Sequence, residues 1–145
     1  MAWIRTAVAG AAVAALLAGC GGFFSSGPKP PAPPPLEAGK GRVYVYRGAA
    51  LAGAFPPDVL LNGENLGRAD RRGAAWRDVV PGSYTVATTL NADVVHFTVA
   101  AGETRYVRLA SGFFDERVRP ALVDAAKGAA DVADMNGFSA PRGKR

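Results

Sequence analysis

The sequence predicts an all-β fold: a small β-sandwich of about seven to eight short strands with a short C-terminal helix, preceded by a signal peptide and a Pro-rich tether. Three observations predict it. Beyond residue 41 the chain is made of short runs rich in Val, Tyr, Thr and Phe, punctuated by Gly and Pro. Several of these runs alternate apolar and polar residues with the period of two that a strand requires. The first 40 residues differ in composition, being rich in Ala and Leu and then in Pro. Four segments follow: a signal peptide at 1–19, a Pro-rich linker opened by Cys20 at 20–40, the sandwich at 41–135, and a basic flexible tail at 136–145.

At the N-terminus, Arg5 and the free amine supply positive charge, and residues 6–19 carry none. That uncharged stretch is shorter than the roughly 20 apolar residues that span a hydrocarbon core. It fits the h-region of a secretory signal. It closes in Leu17-Ala18-Gly19-Cys20, and Cys20 is the one cysteine of the chain. These four residues resemble the lipobox of bacterial lipoproteins. The resemblance implies that the Cys20 thiol receives a diacylglyceryl group, that the signal is cut before Cys20, and that the new amine is acylated. Gly21 in place of Asp then implies the outer membrane, facing the periplasm, rather than the inner one. The other reading is an ordinary secretory signal that leaves a free thiol.

Six prolines fall within residues 28–35. Such a chain adopts extended polyproline II at about 3.1 Å per residue, a stiff spacer that needs no partner. A ligand for a proline-recognition domain is the other reading. Phe23-Phe24 has no core to join and is expected at a membrane interface.

The first strand is Arg42-Val43-Tyr44-Val45-Tyr46-Arg47, apolar on both faces and therefore covered on both. Residues 58–61 and 66–69 flank Asn62-Gly63-Glu64-Asn65, where Asn-Gly is a hairpin signal because both residues tolerate positive φ. Residues 74–79 form a strand with Trp76 as its large anchor. Pro81-Gly82 turns the chain into residues 83–90, with Tyr84, Val86, Thr88 and Leu90 on one face. Residues 94–99 place Val95, Phe97 and Val99 on one face and Val94, His96 and Thr98 on the other. After the Ala101-Gly102-Glu103 turn, residues 104–109 set Val107 and Leu109 opposite Tyr106 and Arg108. Residues 117–123 make a last strand, marked as an edge by Pro120. Residues 125–135 form the helix, in which Gly128 costs about 1 kcal/mol of propensity against Ala.

With Gly41 to Arg47, Leu61 to Gly67, Val80 to Val86 and Ala101 to Arg108 in that order behind a lipobox, the chain resembles the bacterial lipoprotein family named domain of unknown function 2846. It is similar also to transthyretin-like and PEGA-type sandwich modules. The resemblance spans residues 41–134. It implies a small β-sandwich on the periplasmic side of a membrane, and it transfers no catalytic residue.

The 145 residues are 49% apolar and 20% charged, with 17 Lys+Arg against 12 Asp+Glu. This composition fits one globular domain. One Cys excludes a disulfide framework and one His a His-cluster metal centre, so no cofactor is expected. Catalysis has two candidate sites. His96 would need a nucleophile, such as Ser83 or Ser111, and an orienting acid, such as Asp93. Asp115-Glu116 would need burial to split its two pKa values. The bland readings are a solvated strand histidine and a charged loop beside Arg117 and Arg119. Phe113-Phe114 either plugs the sandwich end or forms an exposed patch. Neither a phosphate-cradling loop nor a dinucleotide fingerprint is present.

Arg68, Arg71, Arg72 and Arg77, with Arg142, Lys144 and Arg145, form basic groups suited to anionic headgroups or cell-wall polymers; nucleic acid is not expected as a partner. The expected function is that of a lipid-anchored sandwich presenting a binding surface to an envelope component, joined to the membrane through Cys20. Two alternatives stand beside it: a membrane-surface or cell-wall-polymer module using the basic patch, and an envelope hydrolase.

Overall fold

The structure, a computed structural model, describes residues 32–49, 55–111 and 117–139. The signal peptide, Cys20, Phe23-Phe24, Phe113-Phe114, Asp115-Glu116 and the basic cluster Arg142, Lys144 and Arg145 lie outside them.

Among the described residues nine strands and one helix follow one another: β1 (Gly41–Arg47), β2 (Asp58–Leu61), β3 (Glu64–Arg68), β4 (Gly73–Val79), β5 (Gly82–Thr88), β6 (Val94–Val99), β7 (Thr104–Ser111), β8 (Val118–Val123), α1 (Ala125–Val132) and β9 (Asn136–Gly137). They build two packed sheets, one ordered β8-β7-β1-β4-β9 and the other β3-β2-β5-β6. The all-β sandwich is therefore as expected, with a two-residue ninth strand added.

The core lies between the sheets. Val43 and Val45 of β1 meet Val59 and Leu61 of β2, Val86 of β5, Phe97 and Val99 of β6, Val107 and Leu109 of β7, and Val118 of β8. Each comes from the apolar face that alternation assigns to its strand. β1 is the central strand of its sheet. It runs antiparallel to β4 and parallel to β7, which explains an apolar sequence on both faces. β8 is an edge strand, as Pro120 requires.

The structure corrects five local expectations. The hairpin turn is tighter than the four residues assigned to it. Asn62 (φ 49°) and Gly63 (φ 79°) alone form it, in the left-handed conformation of a type I′ turn, and Glu64 already pairs with Leu61. Leu90 lies beyond β5 and is exposed. Trp76 is not a core anchor. Its register partner is Tyr44, and both stand on the outer face of the sheet, opposite Val43 and Val45. The helix ends at Val132 rather than at residue 135.

The fifth correction concerns the tail. Residues 136–139 are not frayed but lie along the sheet edge. Asn136 and Gly137 pair with β4, Arg68 and Ser139 form a bridge, and Phe138 packs against the core. Gly67 and Gly73 admit this strap, because a Cβ at either would fall within 3 Å of Ser139, Asp70 or Phe138.

α1 covers the outer face of the β1/β7 region. Asp124 caps it, its carboxylate accepting from the Lys127 amide at 2.9 Å. At eight residues it is too short to persist alone, so packing must hold it. Gly128 rests directly on the Tyr106 ring, where any Cβ would collide with ring carbons. The Tyr46 hydroxyl donates to Asp131 at 2.7 Å. The glycine that weakens the helix in isolation is what lets it dock.

Candidate functional site

Period-two alternation sets Arg42, Tyr44 and Tyr46 on one face of β1, and the register aligns them with Asp78, Trp76 and Ala74 of β4. On the other side Tyr44 meets Tyr106 of β7, stacked at 5.2 Å with planes 8° apart. The outer face of the sheet therefore carries an aromatic row, Trp76–Tyr44–Tyr106, running across three strands. α1 covers the Tyr106 end. At the other end the row remains open, and there the chain forms a groove of about 470 Å³.

Tyr44, Ala74 and Trp76 floor the groove. Val132, Ala133, Met135 and Phe138, from the end of α1 and the strap, make one wall, and Ala32 and Pro33 of the tether contribute to the rim. The volume lies within the 300–1,000 Å³ range of ligand sites, and the mostly apolar lining with a few polar groups is their usual make-up. Asn136 and Ser139 supply polar groups at the strap, and Ser139 is itself hydrogen-bonded to Asp70.

Beside the groove stands Arg42. Its guanidinium grips the Asp78 carboxylate in bidentate fashion, at 2.5 and 2.9 Å, and lies 4.4 Å over the Trp76 ring. Its Nη2 also donates to the Pro34 carbonyl at 2.9 Å. The hydrogen bond from Arg42 holds the Asp78 carboxyl below its ordinary value, and the same bond raises Arg42. The tether, expected to run free as a spacer, is thus fastened to the domain at Pro34.

Burial raises the hydroxyls of Tyr46 and Tyr106, and for Tyr46 the bond to Asp131 adds to it. Arg47 is 1% exposed at the end of β1, donates to the Ala69 carbonyl at 3.1 Å, and is lowered mainly by desolvation.

His96 is exposed on the outer face of β6, opposite Thr85. It shares a shallow concavity with Ser83, Tyr84, Thr85, Phe97 and Thr98. Ser83 is its diagonal cross-strand neighbour on the same face, so the register does bring these two side chains near one another. Asp93, proposed to orient it, is ion-paired with Arg119 at 3.4 Å. Ser111 ends β7 in the other sheet. Of the triad candidates, Ser83 and His96 are thus neighbours, whereas Asp93 is engaged by Arg119 and Ser111 stands in the other sheet. Among the described residues no group of His, Cys, Asp and Glu could hold a metal ion.

The four arginines of the basic patch are divided. Arg77 reaches from β4 to Glu64 of the opposite sheet at 2.7 Å, and Arg68 pairs with Asp70 at 3.5 Å. Arg71 and Arg72 are exposed in the turn between β3 and β4, Arg72 with a φ of 54°. Acidic partners thus offset half of the patch. Among the described residues no helix is long and apolar enough to cross a membrane.

The groove was not legible as a site in the sequence. Its one signal was the Arg42-x-Tyr44-x-Tyr46 alternation, which put large polar-tipped side chains on a face that needed a cover.

These features define a class: a two-sheet β domain with a ligand-sized groove on the outer face of one sheet. The chain belongs to the family described as "Protein of unknown function (DUF2846)", which matches residues 37–118. The match stops short of α1, whereas the resemblance read from the sequence ran on to residue 134. No curated protein matches the chain. A solved structure, the N-terminal domain of AlgF from P. aeruginosa, is 23% identical, with a TM-score of 0.41 over 60% of this chain and 94% of that chain. The family segment supplies the groove floor, and the flanking residues 32–33 and 132–139 supply its rim and one wall.

Proposed function

We propose that the protein is a non-catalytic binding domain of the bacterial cell envelope, held to a membrane by lipid on Cys20. It presents the Tyr44/Trp76 groove to an extended, apolar segment of another envelope component. The observation that carries this reading is the groove itself: an aromatic floor, apolar walls and ligand-sized volume on the face opposite the core. Large exposed aromatics on a sheet face are costly to leave in water and are the side chains that anchor interfaces. The lipobox and the stiff tether support the envelope location. They would hold the groove within reach of the membrane. At two or three acyl chains, each worth about 0.8 kcal/mol per buried CH₂, attachment is durable.

A photo-crosslinking residue at Asn136, which is exposed and lines the groove, tests the reading in living cells. The expected result is a crosslink to a discrete envelope component, lost with Trp76→Ala. Crosslinking that is absent, or indifferent to Trp76→Ala, would remove the groove from consideration. Cys20→Ala is expected to release the protein from the membrane fraction and to abolish palmitate labelling.

A further inference from the structure

We propose that β6 is an interaction edge that pairs with β6 of a second copy of this chain, antiparallel about a twofold axis through His96. A strand at the rim of a sheet offers a row of unpaired amides and carbonyls. Folded proteins protect such rows with proline, charge, bulges, shortness or a covering segment. Among the described residues, three of the four rims are protected in these ways. β8 carries Arg119 and Pro120. β3 breaks register with β2 and is bridged by Ser139. β9 is only two residues long. β6 has none of these devices. Its sequence, Val94-Val95-His96-Phe97-Thr98-Val99, holds no Lys, Arg, Asp, Glu, Pro or Gly, and it pairs with β5 in unbroken register. Among the described residues no strand lies on its other side.

The backbone groups on this rim define its register. The Thr85 amide donates to the Asn62 side chain at 2.8 Å and its carbonyl accepts from the Asn62 amide at 2.9 Å, so both groups point toward β2. Its partner on β6, His96, therefore turns its own amide and carbonyl outward, and alternation does the same for Val94, Thr98 and Ala100. One end of the row is already capped. Glu103 accepts from the Ala100 amide at 2.8 Å, and Arg105, ion-paired with Glu103, donates to the Thr98 carbonyl at 3.0 Å. The open stretch thus runs from Val94 to the Thr98 amide and is centred on His96. An incoming strand must also set core-facing residues opposite core-facing residues. A second β6 meets both conditions, with His96 opposite its counterpart, Val94 opposite Thr98 and Val95 opposite Phe97. The Thr98 carbonyl keeps a second lone pair for the Val94 amide. Val94, 45% exposed, gains a cover, and Val95 with Phe97 is a β-branched–aromatic pair. Such a contact is self-complementary and closes at two copies. It joins two four-stranded sheets into a single one, and it does not rest on the groove, which belongs to the other sheet.

The test is disulfide trapping of the purified full chain in detergent under mild oxidation. The native chain, whose one cysteine is Cys20, gives the background. His96→Cys is expected to yield a covalent dimer, because a hydrogen-bonded antiparallel pair sets its Cα atoms about 5.5 Å apart, within disulfide reach. Val94→Cys and Thr98→Cys are each expected to yield none alone, since their counterparts lie beyond the roughly 7 Å limit, and to crosslink with each other when mixed. His96→Lys sets like charges directly opposite at an exposed position, and is expected to convert dimer to monomer in sedimentation without lowering Tm. Absence of trapped dimer above background in His96→Cys would overturn the proposal. Equal trapping in all three single variants would do so too, since that is random collision without register. Trapping of His96→Cys in whole envelopes to a different polypeptide alone would assign the edge to a foreign strand and likewise exclude the second copy.

Discussion

Arg42 and Asp78 join the tether, the groove floor and the sheet through a single ion pair, and its titration is predictable in sign. Asp78 lies below its ordinary value of 3.8 because Arg42 donates to it, so the native state holds that proton less tightly than the unfolded chain does. The stability it contributes is complete above pH 3.8 and is lost as the pH falls through the lower native value. Asp131, lowered chiefly by the Tyr46 hydroxyl, acts with the same sign. Tyr46 acts at the other end. Its hydroxyl is raised above 10.0, so its contribution is complete below pH 10 and disappears as the pH climbs beyond it. The expected Tm profile is flat from about pH 5 to 9 and falls on both sides. Asp78→Asn should cost about 2 kcal/mol at neutral pH, since it strips a nearly buried guanidinium of its carboxylate, and should flatten the acid limb. Thermal melts from pH 2 to 11 check both limbs; an unchanged acid limb in Asp78→Asn would contradict the assignment. The outward face of β1 was visible in the sequence as alternation. Its partner was not, because Trp76 meets Tyr44 only through a pairing 32 positions away in the chain.

At the scale of elements, short-range chemistry was the most legible. Asn62-Gly63 announced its hairpin because both residues readily take positive φ, as a type I′ turn requires. The strands of the core were given by alternation. The helix was recognised, but the meaning of Gly128 was inverted, since propensity speaks only for an isolated helix. Gly128→Ala is therefore expected to destabilise the protein by about 1–3 kcal/mol, through collision with Tyr106, although the same change stabilises an unpacked helix by about 1 kcal/mol. Urea unfolding measures the difference. In the background of Tyr106→Ala the cost should shrink or change sign, because neighbours in contact do not add. The strap at 136–139 was missed for a related reason. A short polar-looking stretch gives no periodic signal, and Phe138, its one apolar anchor, finds its place only once Gly67 and Gly73 have left room.

For the whole molecule, the deciding feature is the parallel pairing of β1 with β7, which joins residues 41–47 to residues 104–111. Every other strand of both sheets, save the last two, is made between those two partners. Alternation identifies strands but says nothing of which are neighbours, so this pairing could not be read in advance. It also makes the topology strongly non-local. Closing so long a loop must precede the contacts that reward it, and refolding is expected in milliseconds to seconds rather than microseconds. Stopped-flow refolding from urea, followed at Trp76, checks this; a dominant microsecond phase would contradict it.

The grip of Arg42 on Pro34 also sets where traction enters the domain. Tension arriving through residues 32–40 is delivered lengthwise into a strand zipped on both flanks, not into an outlying one. Such loading shears two ladders at once, whereas a terminal strand would peel bond by bond. A pull on residues 32–40 would therefore be resisted by the whole width of that sheet.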